Sequence, residues 1–290
     1  MQVLVLVANP ADRALDDQAA ARVAAAGGGS YEWLAQRLAC EITGFKSSDP
    51  EPLARQALSG LPIDVALVPS GRRRKRLLVA DFDSTMINQE SIDELGDALG
   101  IKDKIAGITI RAMRGELNFE AALETRVALL KGLERKTIET IRRERITLAP
   151  GGRALVQTMK AHGAHTALVS GGFTLFADYF GKRIGFDQTL ANTLEFTGDR
   201  LIGTVKKPIV GREAKLALLK RLIAELRLNP ADTLAVGDGA NDLDMLRAAG
   251  LGVALHAKPI VAAEAKVRID HGDLTALLYL QGYRAEDIVT

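Results

Sequence analysis

Leu77-Leu78-Val79-Ala80-Asp81-Phe82-Asp83-Ser84-Thr85 sets four apolar residues directly before two carboxylates spaced two apart. An apolar run of that length has the dimensions of a strand buried on both faces, as in parallel sheets covered by helices. Downstream the pattern repeats. Strands are expected at Leu77 to Ala80, Thr166 to Val169, Leu234 to Val236, Leu251 to Ala254 and Val267 to Ile269, with amphipathic helices between them. The alternation predicts an α/β protein with a Rossmann-like parallel sheet. In one helix Leu216, Leu219, Ile223 and Leu226 recur at helical spacing until Asn229-Pro230 stops it.

Ligands of such sheets bind outside the carboxyl ends of the strands. Three of those ends are unusual: Asp81-Phe82-Asp83-Ser84-Thr85, Ser170-Gly171-Gly172-Phe173 and Gly237-Asp238-Gly239-Ala240-Asn241-Asp242. In an extended segment Asp81 and Asp83 point to the same side, and two carboxylates in one crevice are costly without a cation. Asp238 joins them in this reading. A cluster of carboxylate oxygens suits a hard ion, and Mg²⁺ characteristically adds phosphate oxygens to a few carboxylates, so the chain points to Mg²⁺ chemistry on a phosphate. Ser170 offers a hydroxyl, Gly171-Gly172 lets backbone N–H groups approach an anion near a helix start, and Lys215 offers a point charge.

Competing motifs fail at specific positions. Asp242 stands where a dinucleotide fingerprint needs its third glycine. A calcium loop starting at Asp81 would need glycine at Met86 and glutamate at Ile92. His162, His165, His256 and His271 lack zinc-ligand spacing and read as structural or surface residues.

Between the first two core strands, roughly Ser91 to Ile146, lies a helical insertion punctuated at Gly100, Gly115 and Gly132, which reads as a cap. Before the core, residues 1–71 read as a small α+β domain: a strand Val3 to Val7, a helix Asp16 to Ala26, strand-like Leu38 to Ile42, a short helix near Pro52 to Leu58 and a strand Ile63 to Val68. The core then spans 72–290, with the cap at about 90–147. Arg72-Arg73-Arg74-Lys75-Arg76 at the junction reads as a solvated linker. With 38 basic and 36 acidic residues the formal charge is only +2, so no global excess recruits nucleic acid or an acidic membrane. No apolar run reaches the length of a membrane span. The single Cys40 excludes an internal disulfide framework and fits a reducing compartment. The expected location is the cytoplasm.

Asp81-x-Asp83-Ser84-Thr85, Ser170-Gly171-Gly172, Lys215 and Gly237-Asp238-Gly239-Ala240-Asn241-Asp242 resemble the four ordered motifs of the haloacid dehalogenase phosphatase superfamily. Within it, Asp83-Ser84-Thr85 with Glu90, Leu117-Asn118-Phe119-Glu120 with Arg126, and Val169-Ser170-Gly171-Gly172-Phe173 are similar to the phosphoserine phosphatases. The resemblance covers Leu77 to about Asp273.

It implies that Asp81 attacks phosphorus to form an aspartyl-phosphate, and that Asp83 protonates the departing serine oxygen and then activates water. It implies Mg²⁺ held by Asp81, the Asp83 backbone carbonyl and Asp238, with Asp242 organising the metal from nearby. Ser170, the Gly171 N–H and Lys215 would hold phosphate oxygens. Glu90 and Arg126 would take the ammonium and carboxylate of the serine head group, Asn241 would serve as a turn residue or touch the phosphate, and Met113 and Phe119 would exclude water. Two alternatives stay open: transfer of the phosphoryl group to another alcohol such as homoserine, and a non-catalytic amino-acid-binding regulator. The N-terminal unit resembles the ACT-like, ferredoxin-like regulatory domains, and a structural or homodimerising role is the other reading. The expected partner is the small-molecule substrate O-phosphoserine.

Overall fold

The computed structural model describes residues 2–113 and 116–289; the Met113 side chain and Gly115, both invoked above, lie outside the described residues. The chain opens with β1 (Gln2–Ala8), α1 (Asp17–Gly27), β2 (Ser30–Ala35), β3 (Ala39–Thr43), α2 (Pro50–Ala57) and β4 (Ile63–Pro69). These strands form one antiparallel sheet in the order β2-β3-β1-β4. Leu4, Leu6, Val23 and Ile42 pack beneath the two helices, while Val3, Val5, Val7 and Val68 belong to the core of the rest of the chain. Burial on both faces is why β1 is apolar throughout rather than alternating.

β5 (Leu77–Ala80) starts the second sheet. Four helices follow without a strand between them: α3 (Ser91–Ala98), α4 (Lys102–Met113), α5 (Phe119–Ala128) and α6 (Arg135–Glu144). They are the helical insertion. The core resumes with α7 (Gly152–Ala161), β6 (His165–Phe173), α8 (Thr174–Ile184) and β7 (Gln188–Asn192). A hairpin of β8 (Leu194–Thr197) and β9 (Arg200–Val205) leads to α9 (Arg212–Glu225), β10 (Thr233–Gly237), α10 (Leu243–Ala248), β11 (Leu251–Leu255), α11 (Pro259–Glu264), β12 (Val267–Ile269) and α12 (Ala276–Leu280). The six core strands are parallel in the order β12-β11-β10-β5-β6-β7. The chain leaves β5 toward β6 and later returns to β10 on its other side, so the sheet has its switch point at the end of β5.

The hairpin grips the insertion. Gly132 N–H donates to Leu201 O at 2.8 Å, Leu201 N–H to Leu133 O at 3.0 Å and Arg135 N–H to Asp199 O at 2.8 Å. Neither β7 nor the hairpin was expected: Gln188-Thr189-Leu190-Ala191-Asn192 is too polar at its ends to read as a buried strand, and β7 is an edge strand. β2 was missed for a related reason, since it is an edge strand with only its last two residues buried.

Two expectations are corrected. The basic run is solvated only at Arg72, Arg74 and Arg76. Lys75 is buried and its ammonium donates to the carbonyls of Arg72 and Ala231, while Arg73 pairs with Glu41 at 2.5 Å and reaches the carbonyls of Tyr279 and Leu280. Carbonyls and carboxylates from both halves of the chain converge on the run, which straps them together. The buried stripe of α9 is also rotated from the leucine pattern: Lys215, Leu218, Leu219 and Leu222 are buried, whereas Leu226 is exposed. Leu219 alone belongs to both stripes. An inward lysine is energetically acceptable only if carboxylates meet it.

Asp64 on β4 makes a further bond between the halves. Its buried carboxylate accepts the N–H groups of Asp270, His271 and Gly272 just after β12. Asp64→Ala leaves those donors without their acceptor, and the expected cost is about 2–4 kcal/mol of stability, read from denaturant midpoints. A loss within experimental error would show that water replaces the carboxylate at no cost.

Candidate active site

The carboxyl ends of β5, β6 and β10 meet because these strands are neighbours in the sheet, and the helical insertion roofs the crevice they leave. The cavity measures about 910 Å³ and is lined by Asp81, Asp83 and Asp238 from the sheet side and by Phe119, Leu123 and Arg126 from the roof.

The chain does not stay extended past β5. The Phe82 carbonyl accepts from the N–H groups of Thr85, Met86 and Ile87, and Ser84 has φ +54. A tight turn therefore replaces the extended segment expected there, while Asp81 and Asp83 both line the one crevice. Asp81 faces Asp238 and Asp242, with ligand oxygens of the three within 4.8 Å of one another. The Asp83 carboxylate, in the same cavity, accepts the Ser91 N–H at 2.7 Å and the Ser170 hydroxyl at 3.0 Å.

Lys215 reaches the carboxylate cluster from α9. Its ammonium, wholly buried, lies 2.7 Å from Asp81 Oδ1 and 2.7 Å from Asp242 Oδ1. Burial opposes its charge, but Asp242 and Asp81 more than offset this and raise its pKa. Burial, and then Asp242, push the Asp81 carboxyl well above the usual carboxylate range, with Lys215 pulling the other way. Asp238 is raised by burial as well. Lys215 meets Asp81 and Asp242 while Lys258 lies 3.3 Å from Asp238, so three carboxylates face two ammoniums and carboxylate charge stays in excess. The donor set is all oxygen, and it fits a hard divalent cation.

Asp83 is pushed up to about 6, first by burial and then by Glu90. Glu90 accepts from the Ser84 hydroxyl at 3.0 Å. Arg126 donates to the Thr109 hydroxyl and the Ala122 carbonyl, both at 3.2 Å, and pairs with no carboxylate among the described residues. Burial lowers its pKa, against the pull of Glu90, Asp93 and Asp83. Asn241 lines the same cavity near Gly171. The Phe119 ring is wedged between Gly171 and Gly211, where an added Cβ would meet it at 3.0 Å from either side. The four histidines stay out of the site: His162 bonds the Thr158 carbonyl and meets the Tyr283 ring edge to face, and His256 bonds the Gly272 carbonyl.

The family model of haloacid dehalogenase-like hydrolases matches residues 78–247. The phosphoserine phosphatase of Streptomyces coelicolor is 44% identical over 83% of this chain and 60% of its own length, and that of a Polaromonas species is 43% identical over 76% of this chain and 96% of its own. The chain belongs to the phosphoserine phosphatase family of haloacid dehalogenase-like hydrolases. The chain thus spans less than two thirds of the Streptomyces relative. Among solved structures, a haloacid dehalogenase family hydrolase from Salmonella enterica superposes with TM-score 0.85 at 27% identity, covering 96% of this chain and 98% of that one. A phosphoserine phosphatase solved as an analogue of its phospho-aspartyl intermediate is 38% identical with TM-score 0.66, covering 71% and 98%.

Lys258 and Asn192 stand in none of the motifs above, and Thr85 stands in one of them without an assigned role. Lys258 sits 3.3 Å from Asp238 and 3.5 Å from Glu90. It follows β11, a fourth strand end that the rule used for the other three would have flagged. Thr85 donates to Asp238 Oδ1 at 3.2 Å. Asn192 holds the Gly171 carbonyl with its amide and is bonded twice to Val210. Nothing local in the sequence marks Asn192, because its partners lie about twenty residues away on either side.

Proposed function

We propose that this chain hydrolyses O-phospho-L-serine to L-serine and phosphate, the last step of serine synthesis, in the cytoplasm and through an aspartyl-phosphate on Asp81. The observation that carries this reading is the presence of Glu90 and of a half-buried guanidinium, Arg126, which meets no carboxylate among the described residues, in the cavity that also holds Asp81 and Asp83. One cation and one anion beside a nucleophile suit a zwitterionic phosphate ester.

A divalent cation, which we take to be Mg²⁺, would be held by the Asp81 carboxylate, the Asp83 main-chain carbonyl and Asp238, with Asp242 behind them, and supplies neutralisation of phosphoryl charge. An Asp81 oxygen bonds to phosphorus as the bond from phosphorus to the serine oxygen breaks, and Asp83 gives its proton to that oxygen. A carboxyl raised to about 6 retains a useful protonated fraction near neutral pH. Asp83, now a carboxylate, then takes a proton from a water whose oxygen attacks phosphorus. The bond to Asp81 breaks, phosphate leaves and Asp81 is restored. Ser170, the Gly171 N–H and Lys215 hold the remaining phosphoryl oxygens, Asn241 lies beside them, and Phe119 limits access of water. In this reading residues 1–71 form one domain and 72–290 the other, with the cap at about 90–147, a division supported by the two separate sheets.

Phosphate release from L-phosphoserine, with and without Mg²⁺ and beside a panel of other phosphomonoesters, tests the proposal. Absence of turnover would sink it, and turnover only in the presence of an acceptor alcohol would replace it with phosphoryl transfer. Arg126→Ala is expected to cost about 10²-fold in kcat/KM on L-phosphoserine and under tenfold on a phosphomonoester lacking the carboxylate. Equal losses on both would remove Arg126 from the specificity site.

A further inference from the structure

Ser91 carries a hydroxyl that the scheme above leaves unused. It opens α3 directly after Glu90, is 1% exposed, and its Oγ has no hydrogen-bond partner. An unpaired buried hydroxyl costs free energy, so its surroundings matter. The Ser91 N–H already donates to Asp83 Oδ1, and the Ser170 hydroxyl donates to Asp83 Oδ2. Gly172 marks where these groups converge: a Cβ added there would collide with Asp83 Oδ2 and lie 3.0 Å from Ser170 Oγ and 3.1 Å from Ser91 Oγ. Two serine hydroxyls thus flank one carboxylate: Ser170 is hydrogen-bonded to it at 3.0 Å, and Ser91 lies near enough to favour its charge without hydrogen-bond geometry.

Ser170 has a single proton to donate. On the functional reading, on which this inference rests, a phosphoryl oxygen claims that proton and Asp83 loses a donor. The loss falls in the second half-reaction, when Asp83 has given up its own proton and must stay aimed at water. We infer that Ser91 is a positioning residue for Asp83: its hydroxyl becomes the donor to the Asp83 carboxylate while Ser170 holds the phosphoryl group on Asp81. Its position needs only a side-chain rotation, since the backbone N–H is already fixed on the same carboxylate.

The test separates the two half-reactions. Enzyme labelled from ³²P-phosphoserine is chased with unlabelled substrate, and decay of the acid-quenched aspartyl-phosphate is followed. Ser91→Ala is expected to slow that decay about tenfold, the rate equivalent of one hydrogen bond to a charged group. In the steady state kcat and KM should fall together while kcat/KM stays within about twofold, and labelled enzyme should accumulate. Ser91→Thr, which keeps the hydroxyl, should restore the decay. A structural role would lower kcat/KM with kcat and would not be rescued through the decay rate. Unchanged decay in Ser91→Ala, or a parallel loss of kcat/KM, overturns the inference. If the wild-type chain neither forms the phosphoenzyme nor releases phosphate, the functional reading fails instead.

Discussion

Replacing Asp81 with asparagine is expected to lower turnover of L-phosphoserine by about 10⁴-fold or more while leaving substrate binding and the fold intact. The amide keeps the shape of the carboxylate but lacks its nucleophilic charge, and Asp83 is already engaged by Ser91 and Ser170. Stability should move the other way. Burial and Asp242 raise the Asp81 pKa in the folded chain, so ionised Asp81 opposes folding once pH exceeds its unfolded value. Asparagine removes that penalty, and Lys215 keeps its bond to Asp242. In the absence of divalent cations the variant should therefore melt at or above the parent at pH 7–8, and the difference should shrink as pH falls toward 4. Phosphate release, calorimetric binding and melting curves across pH check these points. Ordinary turnover would remove Asp81 as the nucleophile, and a large drop in melting temperature would show that its charge holds the fold.

Lys215→Met should produce the largest loss of stability. The ammonium is wholly buried and is the shared partner of Asp81 and Asp242. Removing one member of a buried ion cluster strands the others, at a cost of about 3–5 kcal/mol. Without Lys215 the Asp81 pKa rises further, so the destabilisation should be greatest at neutral to alkaline pH and smaller near pH 5, where the carboxyl binds a proton. Added Mg²⁺ should recover part of the melting temperature, because a cation bound only by the folded state stabilises it by mass action. Thermal melts at two pH values with Mg²⁺ or a chelator measure all three effects. A variant as stable as the parent in chelator would show that the cluster does not depend on the lysine.

Legibility in the sequence followed how local each signal is. The two carboxylates after Ala80, the Ser170-Gly171-Gly172 end and the acidic loop after Gly237 were readable because a strand end is a short-range pattern. The strand order then brings them into one crevice. Lys215 was readable only through its place in an ordered set of motifs; its own helix pattern pointed to a different buried stripe. Lys258 follows a strand end and was open to the same reading as the other three strand ends, whereas Thr85 and Asn192 owe their roles to partners distant in sequence that no local pattern announces. The basic run was misread for the same reason, since what neutralises Arg73 and Lys75 lies in strand β3, next to strand β10 and in helix α12.

The sequence by itself determined the α/β class, the helical insertion after the first core strand and the kinds of chemistry available, because apolar periodicity and turn-forming residues act over a few positions. Tertiary structure alone decided that Asp81 and Asp242 share Lys215 while the Asp83 carboxylate is directed to Ser170 and Ser91. The Phe82 turn sets those directions, and neighbouring strands decide which side chains lie within reach. Interaction between charges depends on distance and burial, and spacing along the chain fixes neither.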